Sequence, residues 1–164
     1  MLFDHQGRVL VGRRVRPIGD EVWQFPQGGL EPGEDPLDGA YRELEEEIGT
    51  RDAALIAQMP GTVAYDLPPD LPDPPRWSRK YRGQRQHWFA MRFTGTDDDI
   101  RLDNGHPEFD AYRWIPLDEA VDLAVDFKRD VYRQVGEAFA SFAGTPGGVG
   151  SDEGRRGRID VSRD

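Results

Sequence analysis

Three glutamates follow one arginine in the first third of the chain, at spacings that would bring their carboxylates together on a helix. Glu43, Glu46 and Glu47 lie three or four residues from one another or adjacent, so they crowd one side of a helix. Like charges at these spacings destabilise a helix by a few tenths of a kcal/mol per pair, whereas a hard dication offsets the repulsion. The pattern therefore allows an oxygen-ligated Mg²⁺ site with positions open for a polyphosphate. For the three glutamates alone, an ordinary solvated acidic face is the better interpretation.

The surrounding sequence predicts a helix from Pro36 to Ile48 that would carry these glutamates. Asp35 suits the N-cap, Pro36 suits the first helical position and Gly49 suits the C-terminal stop. Apolar residues recur at helical spacing, at Leu37, Ala40, Tyr41, Leu44 and Ile48. We expect this apolar stripe to pack against the core while the glutamates occupy a different face.

The rest of the chain indicates several strands and one closing helix. Alternation and β-forming residues predict strands at residues 1–3, 8–15, 22–25, 86–93 and 111–115. The proline-rich stretch 60–75 predicts an irregular loop. Apolar residues at helical spacing predict a helix over 127–142, and the Gly- and Ser-containing stretch 144–164 predicts a disordered tail. We therefore expect one domain over residues 1–143.

The composition excludes several kinds of site. The 164 residues contain no cysteine, which rules out disulfides, thiolate zinc sites and cysteine nucleophiles. No apolar run approaches the roughly 20 residues that a membrane-spanning helix needs, and nothing resembles a signal peptide. We therefore expect a soluble, cytoplasmic protein without a membrane partner. The net charge of −10 argues against general binding to duplex DNA.

A local cationic strip runs against this acidic balance. Residues 76–87 read RWSRKYRGQRQH, with five Lys or Arg side chains, two aromatic residues and no acid. Both a solvated basic loop and an anion-binding surface are compatible with such a run. We keep both interpretations for this cationic strip.

The glutamate helix and the loop before it form a longer pattern. Eight fixed positions over 22 residues read G-x5-E-x7-R-E-L-x-E-E-x-G, at Gly28, Glu34, Arg42, Glu43, Leu44, Glu46, Glu47 and Gly49. This pattern resembles the Nudix box, and eight matched positions make it far more specific than a lone glycine motif. The resemblance implies an α/β fold, an α/β/α sandwich built on a mixed β-sheet, with the box as a loop-helix-loop catalytic motif. Thr50 departs from the aliphatic residue that the family prefers, which affects packing behind the helix and leaves the carboxylates unchanged.

Five further segments extend the resemblance over nearly the whole chain. They read WQFPQGG at 23–29, YDLP at 65–68, YRGQRQHWF at 81–89, HPEFDAYRW at 106–114 and FKRDVYRQV at 127–135. Together they resemble the bacterial RNA pyrophosphohydrolases, which are also described as dinucleoside polyphosphate hydrolases. Members of this branch open with a longer first strand that contains a Tyr-Arg-Pro segment. The resemblance therefore implies that Met1 falls inside a truncated first strand.

The resemblance assigns the box glutamates to a metal site. Glu43, Glu46 and Glu47 match the family's ligands for Mg²⁺, for which Mn²⁺ or another divalent cation can substitute. Glu108 matches a further carboxylate that completes the metal site or assists the attacking water. Metal ions that bridge phosphate oxygens lower the pKa of a bound water, and a nearby carboxylate removes its proton. Glu47 and Glu108 are both candidates for that proton acceptor.

Other positions match residues that orient the site or hold the substrate. Arg42 matches an arginine that orients the glutamates, a role that a plain ion pair within the helix would also describe. Arg14 and Lys128 are candidate clamps for phosphate oxygens, and a surface role for Arg14 fits the sequence equally well. Phe127 and Lys128 match the position where the family holds a base of the RNA end, although Phe127 also begins an apolar stripe and fits the core. Gln84, in YRGQRQHWF, is a further candidate substrate contact.

Three functional hypotheses follow from these residues. The first is an RNA 5′ pyrophosphohydrolase, which converts the 5′-triphosphate end of RNA to a 5′-monophosphate and so promotes RNA decay. The second keeps the chemistry and takes diadenosine or other dinucleoside polyphosphates. The third is a non-catalytic nucleotide-sensing module, which predicts eroded glutamates, whereas all of them are present.

Overall fold

The first two strands bury side chains on both of their faces. Successive residues of a strand point to opposite sides of a sheet. Leu2 and Leu10 pack with the glutamate-bearing helix, whereas Phe3, Val9 and Val11 pack with the C-terminal helices. A sheet with two apolar faces needs a layer of helices on each side. The computed structural model has this arrangement, and it describes residues 1–15, 22–70, 80–103, 105 and 107–144.

The elements are numbered here in chain order, within the described residues. The strands are β1 (Leu2–Phe3), β2 (Val9–Arg14), β3 (Trp23–Gln24), β4 (Ala53–Gln58), β5 (Val63–Asp66), β6 (Gly83–Gln86), β7 (Phe89–Phe93) and β8 (Phe109–Ile115). The helices are α1 (Pro36–Ile48), α2 (Leu117–Asp122) and α3 (Arg129–Phe139). Short 3-10 turns occupy Asp97–Asp99, Asp126–Lys128 and Ala140–Phe142.

The main sheet is mixed. β2 pairs antiparallel with β8 along its length, and antiparallel with β1 and β3 at its two ends. β1 also pairs parallel with β7, and β7 pairs antiparallel with β4. β5 and β6 form a separate two-stranded antiparallel sheet. The parallel β1–β7 pair within an otherwise antiparallel sheet confirms the mixed sheet that the resemblance implies.

α1 covers one face of the main sheet, and α2 and α3 cover the other. Leu44 and Ile48 of α1 pack in one cluster with residues of β7 and β8. Val131 and Phe139 of α3 pack in a second cluster with residues of β1 and β2. These two clusters confirm the α/β/α sandwich. The apolar stripe of α1 faces the core, as its spacing predicts.

Two predictions for the middle of the chain are wrong. Residues 86–93 do not form one strand, because they divide between β6 and β7, which belong to different sheets. The stretch 60–75 is not wholly irregular, because Val63–Asp66 forms β5 and pairs with β6. The hydrogen-bonding partner of β5 is β6, which is not adjacent in sequence. Because this pairing is non-local and prolines follow β5, the segment has the sequence features of a loop.

Other elements differ from the predictions in existence or length. β4 and α2 were not predicted, because β4 has an irregular burial pattern and α2 is only six residues long. α3 is shorter than the predicted helix 127–142, since 3-10 turns occupy both of its ends. The remaining predicted strands are confirmed within two residues, as β1, β2, β3 and β8.

Some of the predicted organisation lies outside the described residues. Outside the described residues are the predicted tail, except for Gly144, and residues 76–79 of the cationic strip. The domain bounds 1–143 therefore stay a prediction. Within the described ranges, no helix is long and apolar enough to cross a lipid bilayer.

Candidate active site

α1 begins and ends where its capping residues predict. The Asp35 carboxylate accepts a hydrogen bond from the Leu37 amide (2.9 Å), and Pro36 occupies the first turn. Gly49 ends the helix at φ 76°, in the left-handed region that favours glycine. A side-chain N-cap of this kind is worth about 1 kcal/mol. The predicted bounds Pro36–Ile48 are confirmed, so the spacing of the glutamates along α1 is as expected.

Arg42 lies at the centre of the site and uses all five of its guanidinium N–H groups. Nε and Nη2 form a two-pronged pair with the Glu34 carboxylate (2.8 and 2.9 Å), and Nη2 also donates to the Gly29 carbonyl (2.7 Å). Nη1 donates to Glu43 Oε1 (2.8 Å) and to Glu46 Oε1 (3.0 Å). We call this set of contacts the Arg42 network. It ties the loop before α1 to the helix and orients two of the box glutamates.

Ion pairing in the Arg42 network stabilises the charged forms of Glu34 and Arg42. Hydrogen bonding to Arg42 lowers the pKa of Glu34 to about 2, and the carboxylates around Arg42, Glu34 first, raise the pKa of the guanidinium. Glu34 also accepts a hydrogen bond from the Glu31 amide (2.9 Å), so it holds the loop at two points. Sequence analysis named Glu34 only as a motif position. Its partner was missed because Arg42 lies eight residues away, beyond the reach of helical spacing rules.

Gly28 lies directly against the Glu43 carboxylate. A Cβ on Gly28 would come within 1.8 Å of the carboxyl carbon and Oε2 of Glu43. No side chain fits at this position unless Glu43 moves. The neighbouring Gly29 has open space where a Cβ would point. The motif has a glycine at position 28 because the backbone there approaches the Glu43 carboxylate too closely for a side chain.

Glu47 is buried with an unsatisfied carboxylate oxygen. Glu47 is only 2% exposed to solvent. Oε2 accepts a hydrogen bond from the Gln27 amide (2.8 Å), whereas Oε1 has no hydrogen-bond partner among the described residues. Burial, and then the charge of Glu108, raise the pKa of Glu47 well above its ordinary value. A buried oxygen without a partner is unusual in proteins and fits a ligand for a cation.

The box glutamates together fit a divalent cation, although they do not form a ready-made cluster. Burial raises the pKa of Glu43, and the charge of Glu108 acts on both Glu43 and Glu47. Arg42 binds Glu43 and Glu46, and Glu46 is exposed. Among the described residues, no three carboxylate or histidine side chains converge closely enough to hold an ion by themselves. This suits Mg²⁺, which commonly takes one or two protein carboxylates with waters and substrate oxygens.

A β-bulge places Arg14 and Glu108 beside the box. The pairing of β2 with β8 shifts register between Arg13 and Arg14. Immediately after the bulge, the Val15 amide donates to the Glu108 carbonyl (2.9 Å). The positive charge of Arg14 lowers the pKa values of Glu47 and Lys128, so its guanidinium faces the same space as these two side chains. Arg14 is thus close enough for its charge to act on Glu47 and Lys128, and its binding of phosphate oxygens stays a prediction.

Tyr65 brings three of the predicted substrate-binding residues together. Its ring lies 5.5 Å from the ring of Phe127, and the Lys128 ammonium lies 5.5 Å from the centre of the same ring. The Tyr65 hydroxyl donates to Gln84 Oε1 (2.6 Å). We call Tyr65, Gln84, Phe127 and Lys128 the Tyr65 cluster. Sequence analysis quoted the YDLP segment but assigned no role to Tyr65, whose place depends on the β5–β6 pairing that was not predicted.

Lys128 carries a largely buried positive charge. The residue is 9% exposed, and burial, followed by repulsion from Arg14, lowers the pKa of its ammonium to about 8. Nζ donates to the side-chain carbonyl of Gln27 (3.2 Å). Sequence analysis missed Gln27, although it directly precedes the first motif glycine. Lys128 is therefore part of the site, as the FKRD resemblance implies.

A cavity opens beside Glu43 and the loop residues Gly28 and Gly29. Its volume is about 260 Å³, and it lies between residues 26–30, the first half of α1 and residues 84–89. The cavity shares Gln84 with the Tyr65 cluster and Glu43 with the box. It is near the lower end of the sizes that hold small ligands.

The described part of the cationic strip is exposed and partly paired. Arg82 forms an ion pair with Asp66 (2.7 Å), and Arg85 Nη1 donates to Thr62 Oγ1 (3.3 Å). Both contacts hold β5 to β6 on the sheet that carries Tyr65 and Gln84. Binding of an anionic chain by the cationic strip stays a prediction.

Comparison with proteins of known name shows where the chain belongs. The curated RNA pyrophosphohydrolase of Rhodospirillum rubrum is 52% identical over 143 residues, which cover 87% of this chain and 85% of that protein. The RNA pyrophosphohydrolase of Acidiphilium cryptum is 48% identical, over 89% of this chain and 90% of that protein. The one from Caulobacter vibrioides is 47% identical, over 87% and 84%. The resemblance to this branch is confirmed.

Solved structures show the same fold at low sequence identity. An Ap4A hydrolase from C. elegans, in a binary complex, superposes with a TM-score of 0.60 and 18% identity, over 85% of this chain and 93% of that one. The dihydroneopterin triphosphate pyrophosphohydrolase of E. coli gives a TM-score of 0.59 and 23% identity, over 81% and 88%. The family model of the NUDIX domain matches residues 1–135. The chain therefore belongs to the Nudix hydrolase family.

Proposed function

We propose that this protein is an RNA 5′ pyrophosphohydrolase, which cuts a phosphoanhydride bond in the 5′-triphosphate end of RNA and leaves a 5′-monophosphate. The observation that supports this best is the buried Glu47 oxygen that has no hydrogen-bond partner among the described residues. The positive charges of Arg14 and of Lys128, a member of the Tyr65 cluster, act at the same place. Carboxylates with a divalent ion and two cations suit a polyphosphate, and aromatic rings suit a base. The relatives that are about half identical carry this activity in their names. Conversion of the 5′-triphosphate to a 5′-monophosphate, with release of diphosphate or of successive phosphates, would promote RNA decay in the cytoplasm.

Glu43, Glu46, Glu47 and Glu108 would hold the divalent cation, which we propose to be Mg²⁺, with Mn²⁺ able to replace it. When bound, the ion supplies charge neutralisation for the phosphates and acidifies an attacking water. Glu47 offers its unpaired oxygen, and Gly28 with Arg42 positions Glu43. Glu47, a box residue, or Glu108, whose charge acts on Glu47, accepts the proton of the attacking water.

The cations and the Tyr65 cluster would bind the remainder of the substrate. Arg14 and Lys128 clamp phosphate oxygens, since their positive charges face Glu47 from two different elements, β2 and the turn before α3. Phe127 stacks on a base of the RNA end, and Tyr65 supports its ring from behind. Gln84, held by the Tyr65 hydroxyl, contributes an amide for polar contacts with the same nucleotide.

A dinucleoside polyphosphate is the alternative substrate, and the cavity beside Glu43 favours it. Such a molecule carries a nucleoside at each end of its polyphosphate. With one base at Phe127, the cavity of about 260 Å³, which is lined by Glu43 and Gln84, offers a place for the second nucleoside. The chemistry at the box would be unchanged.

A parallel assay with a 5′-triphosphate RNA oligomer and diadenosine tetraphosphate, each with Mg²⁺, tests this proposal. Glu47→Gln should lower kcat on the true substrate by roughly 10²- to 10⁴-fold, the usual contribution of a proton acceptor. Glu45→Gln is the matched control on the same helix, because the Glu45 side chain is 58% exposed and its ion pair with Arg51 is long (3.5 Å). Full activity of Glu47→Gln would refute the assignment. Turnover of the dinucleotide alone would favour the alternative.

A further inference from the structure

Gln27 makes two hydrogen bonds that point to opposite parts of the site. Its backbone amide donates to Glu47 Oε2 (2.8 Å). Its side-chain carbonyl accepts from the Lys128 ammonium (3.2 Å), across 101 positions of sequence. One residue in the loop before α1 thus contacts both the buried box carboxylate and the buried cation of the Tyr65 cluster.

We infer that Gln27 is a positioning residue whose side chain holds the Lys128 ammonium where the substrate's phosphates or first base arrive. The substrate part of this inference rests on the proposed function. The contact itself does not, because it exists in the protein without any ligand. Gln27 touches no reacting atom in this scheme and acts only through Lys128.

The surroundings of Lys128 explain why it needs such a partner. Three charged or titratable side chains face the ammonium from other elements: Arg14 on β2, Glu47 on α1 and Tyr65 on β5. Arg14 repels the ammonium, and burial removes most of its water. Of the neighbouring side chains, Gln27 supplies the neutral carbonyl that directly accepts a hydrogen bond from it. Without that acceptor, a flexible four-carbon side chain would be free to leave this position.

The two hydrogen bonds of Gln27 can be separated experimentally. Methionine has a similar length and no carbonyl, so Gln27→Met removes the contact with Lys128 and retains the backbone amide that binds Glu47. The box should therefore keep its geometry. An increase in KM with unchanged kcat would then indicate that Lys128 is displaced. A decrease in kcat would indicate that Glu47 is disturbed.

The first experiment measures the titration of Lys128 in the free protein. The sequence contains only two lysines, Lys80 and Lys128, so ¹³C-lysine labelling gives two Cε signals, and Lys128→Met assigns them. Gln27→Met should lower the pKa of Lys128 and leave that of the exposed Lys80 unchanged. Gln134→Met, the same change at an exposed position of α3, should alter neither. An unchanged Lys128 pKa in Gln27→Met would overturn the inference, whether or not the protein hydrolyses RNA.

The second experiment separates positioning from a merely structural role by kinetics. Gln27→Met should raise KM for triphosphate RNA by about tenfold, as expected for loss of a hydrogen bond to a charged group, with kcat nearly unchanged. In a Lys128→Met background, the same substitution should change KM by less than about twofold, because its target is gone. Independent, multiplying effects of the two changes would overturn the inference. If wild-type protein turns over neither RNA nor dinucleotide, the proposed function fails, and the lysine titration still decides the role of Gln27.

Discussion

The Arg42 network and the Tyr65 cluster both adjoin the box glutamates and differ in how their charges are compensated. In the Arg42 network every donor of the arginine has an acceptor, and three of those acceptors are carboxylates. In the Tyr65 cluster, Lys128 is buried against rings, an amide and a second cation, and its pKa falls to about 8. Within the described residues, neither Lys128 nor Arg14 forms an ion pair. The first region has a surplus of negative charge, because three carboxylates surround one guanidinium, whereas the second has positive charge left for an anion.

This difference leads us to expect that substitutions in the two regions will have effects of opposite sign on stability. Loss of the Arg42 contacts, which compensate three carboxylates with one guanidinium, should destabilise the protein. Removal of the buried, unbalanced cation should stabilise the protein and reduce its affinity for substrate. Four substitutions test the comparison, from the largest expected effect to the smallest.

Gly28→Ala should have the largest effect, on activity. Its Cβ would overlap the Glu43 carboxylate at 1.8 Å and displace a proposed metal ligand. We expect roughly a 10- to 100-fold loss of metal affinity or kcat, as for disturbed support of metal ligands. Mg²⁺ titration and steady-state kinetics measure it. Gly29→Ala is the matched control, because nothing lies within 4 Å of a Cβ there, and equal losses for both variants would contradict the explanation.

Lys128→Met should stabilise the folded protein by about 1 to 3 kcal/mol near neutral pH. The pKa of Lys128 is about 8 in the fold, against an ordinary lysine value of 10.5, so the unfolded chain binds more protons between those values. Stability of the wild type should therefore rise with pH over this interval, and the part due to Lys128 should be absent from the variant. Urea unfolding at several pH values measures the difference. A variant less stable than wild type at neutral pH would show that Lys128 is not a buried, costly charge.

Arg42→Lys should destabilise the protein by about 1 kcal/mol or slightly more, although the charge is kept. Lysine has three donors on one atom and cannot reproduce the fork to Glu34 together with the contacts to Glu43 and Gly29. Urea unfolding measures the change. Arg51→Lys is the control, because the Arg51 side chain is 51% exposed and its ion pair with Glu45 is long (3.5 Å). If both variants unfold at the same urea concentration, the Arg42 network does not stabilise the fold.

Arg82→Ala should have the smallest effect. The Arg82 side chain is 88% exposed in its pair with Asp66, and exposed pairs contribute little to stability. The urea midpoint should stay within error of wild type. If the cationic strip contacts RNA, KM for the RNA oligomer should rise by about twofold at low salt and less at high salt. An unchanged KM at both salt concentrations would favour the solvated-loop interpretation.

The Arg42 network could be predicted from the sequence because it is local. Its residues fall within 22 positions, and the caps at Asp35 and Gly49 fix the helix that carries three of them. Residue spacing on a helix then determines which side chains meet. The contacts of Arg42 with Glu34 and with the Gly29 carbonyl were not predicted, because the loop conformation that brings these groups to the helix has no periodic signal.

The Tyr65 cluster could be predicted only in part, because its residues come from distant segments. Gln84, Phe127 and Lys128 were named through the resemblance, whereas Tyr65 and Gln27 were not. Tyr65 reaches Gln84 through β5–β6 pairing, where the sequence predicts a loop and one longer strand instead. Non-local strand pairing depends on hydrogen bonds between segments and leaves little trace in the periodicity of either one.

The buried position of Glu47 links the stability of the whole domain to its ionic surroundings. The folded chain buries a carboxylate oxygen that has no hydrogen-bond partner in the described part of the chain, whereas the unfolded chain exposes this oxygen to water. Any dication that binds the folded form alone shifts the folding equilibrium by mass action. The divalent cation proposed to serve hydrolysis would then also stabilise the fold. Depletion of the ion would lower the free energy of unfolding of the domain that carries the active site.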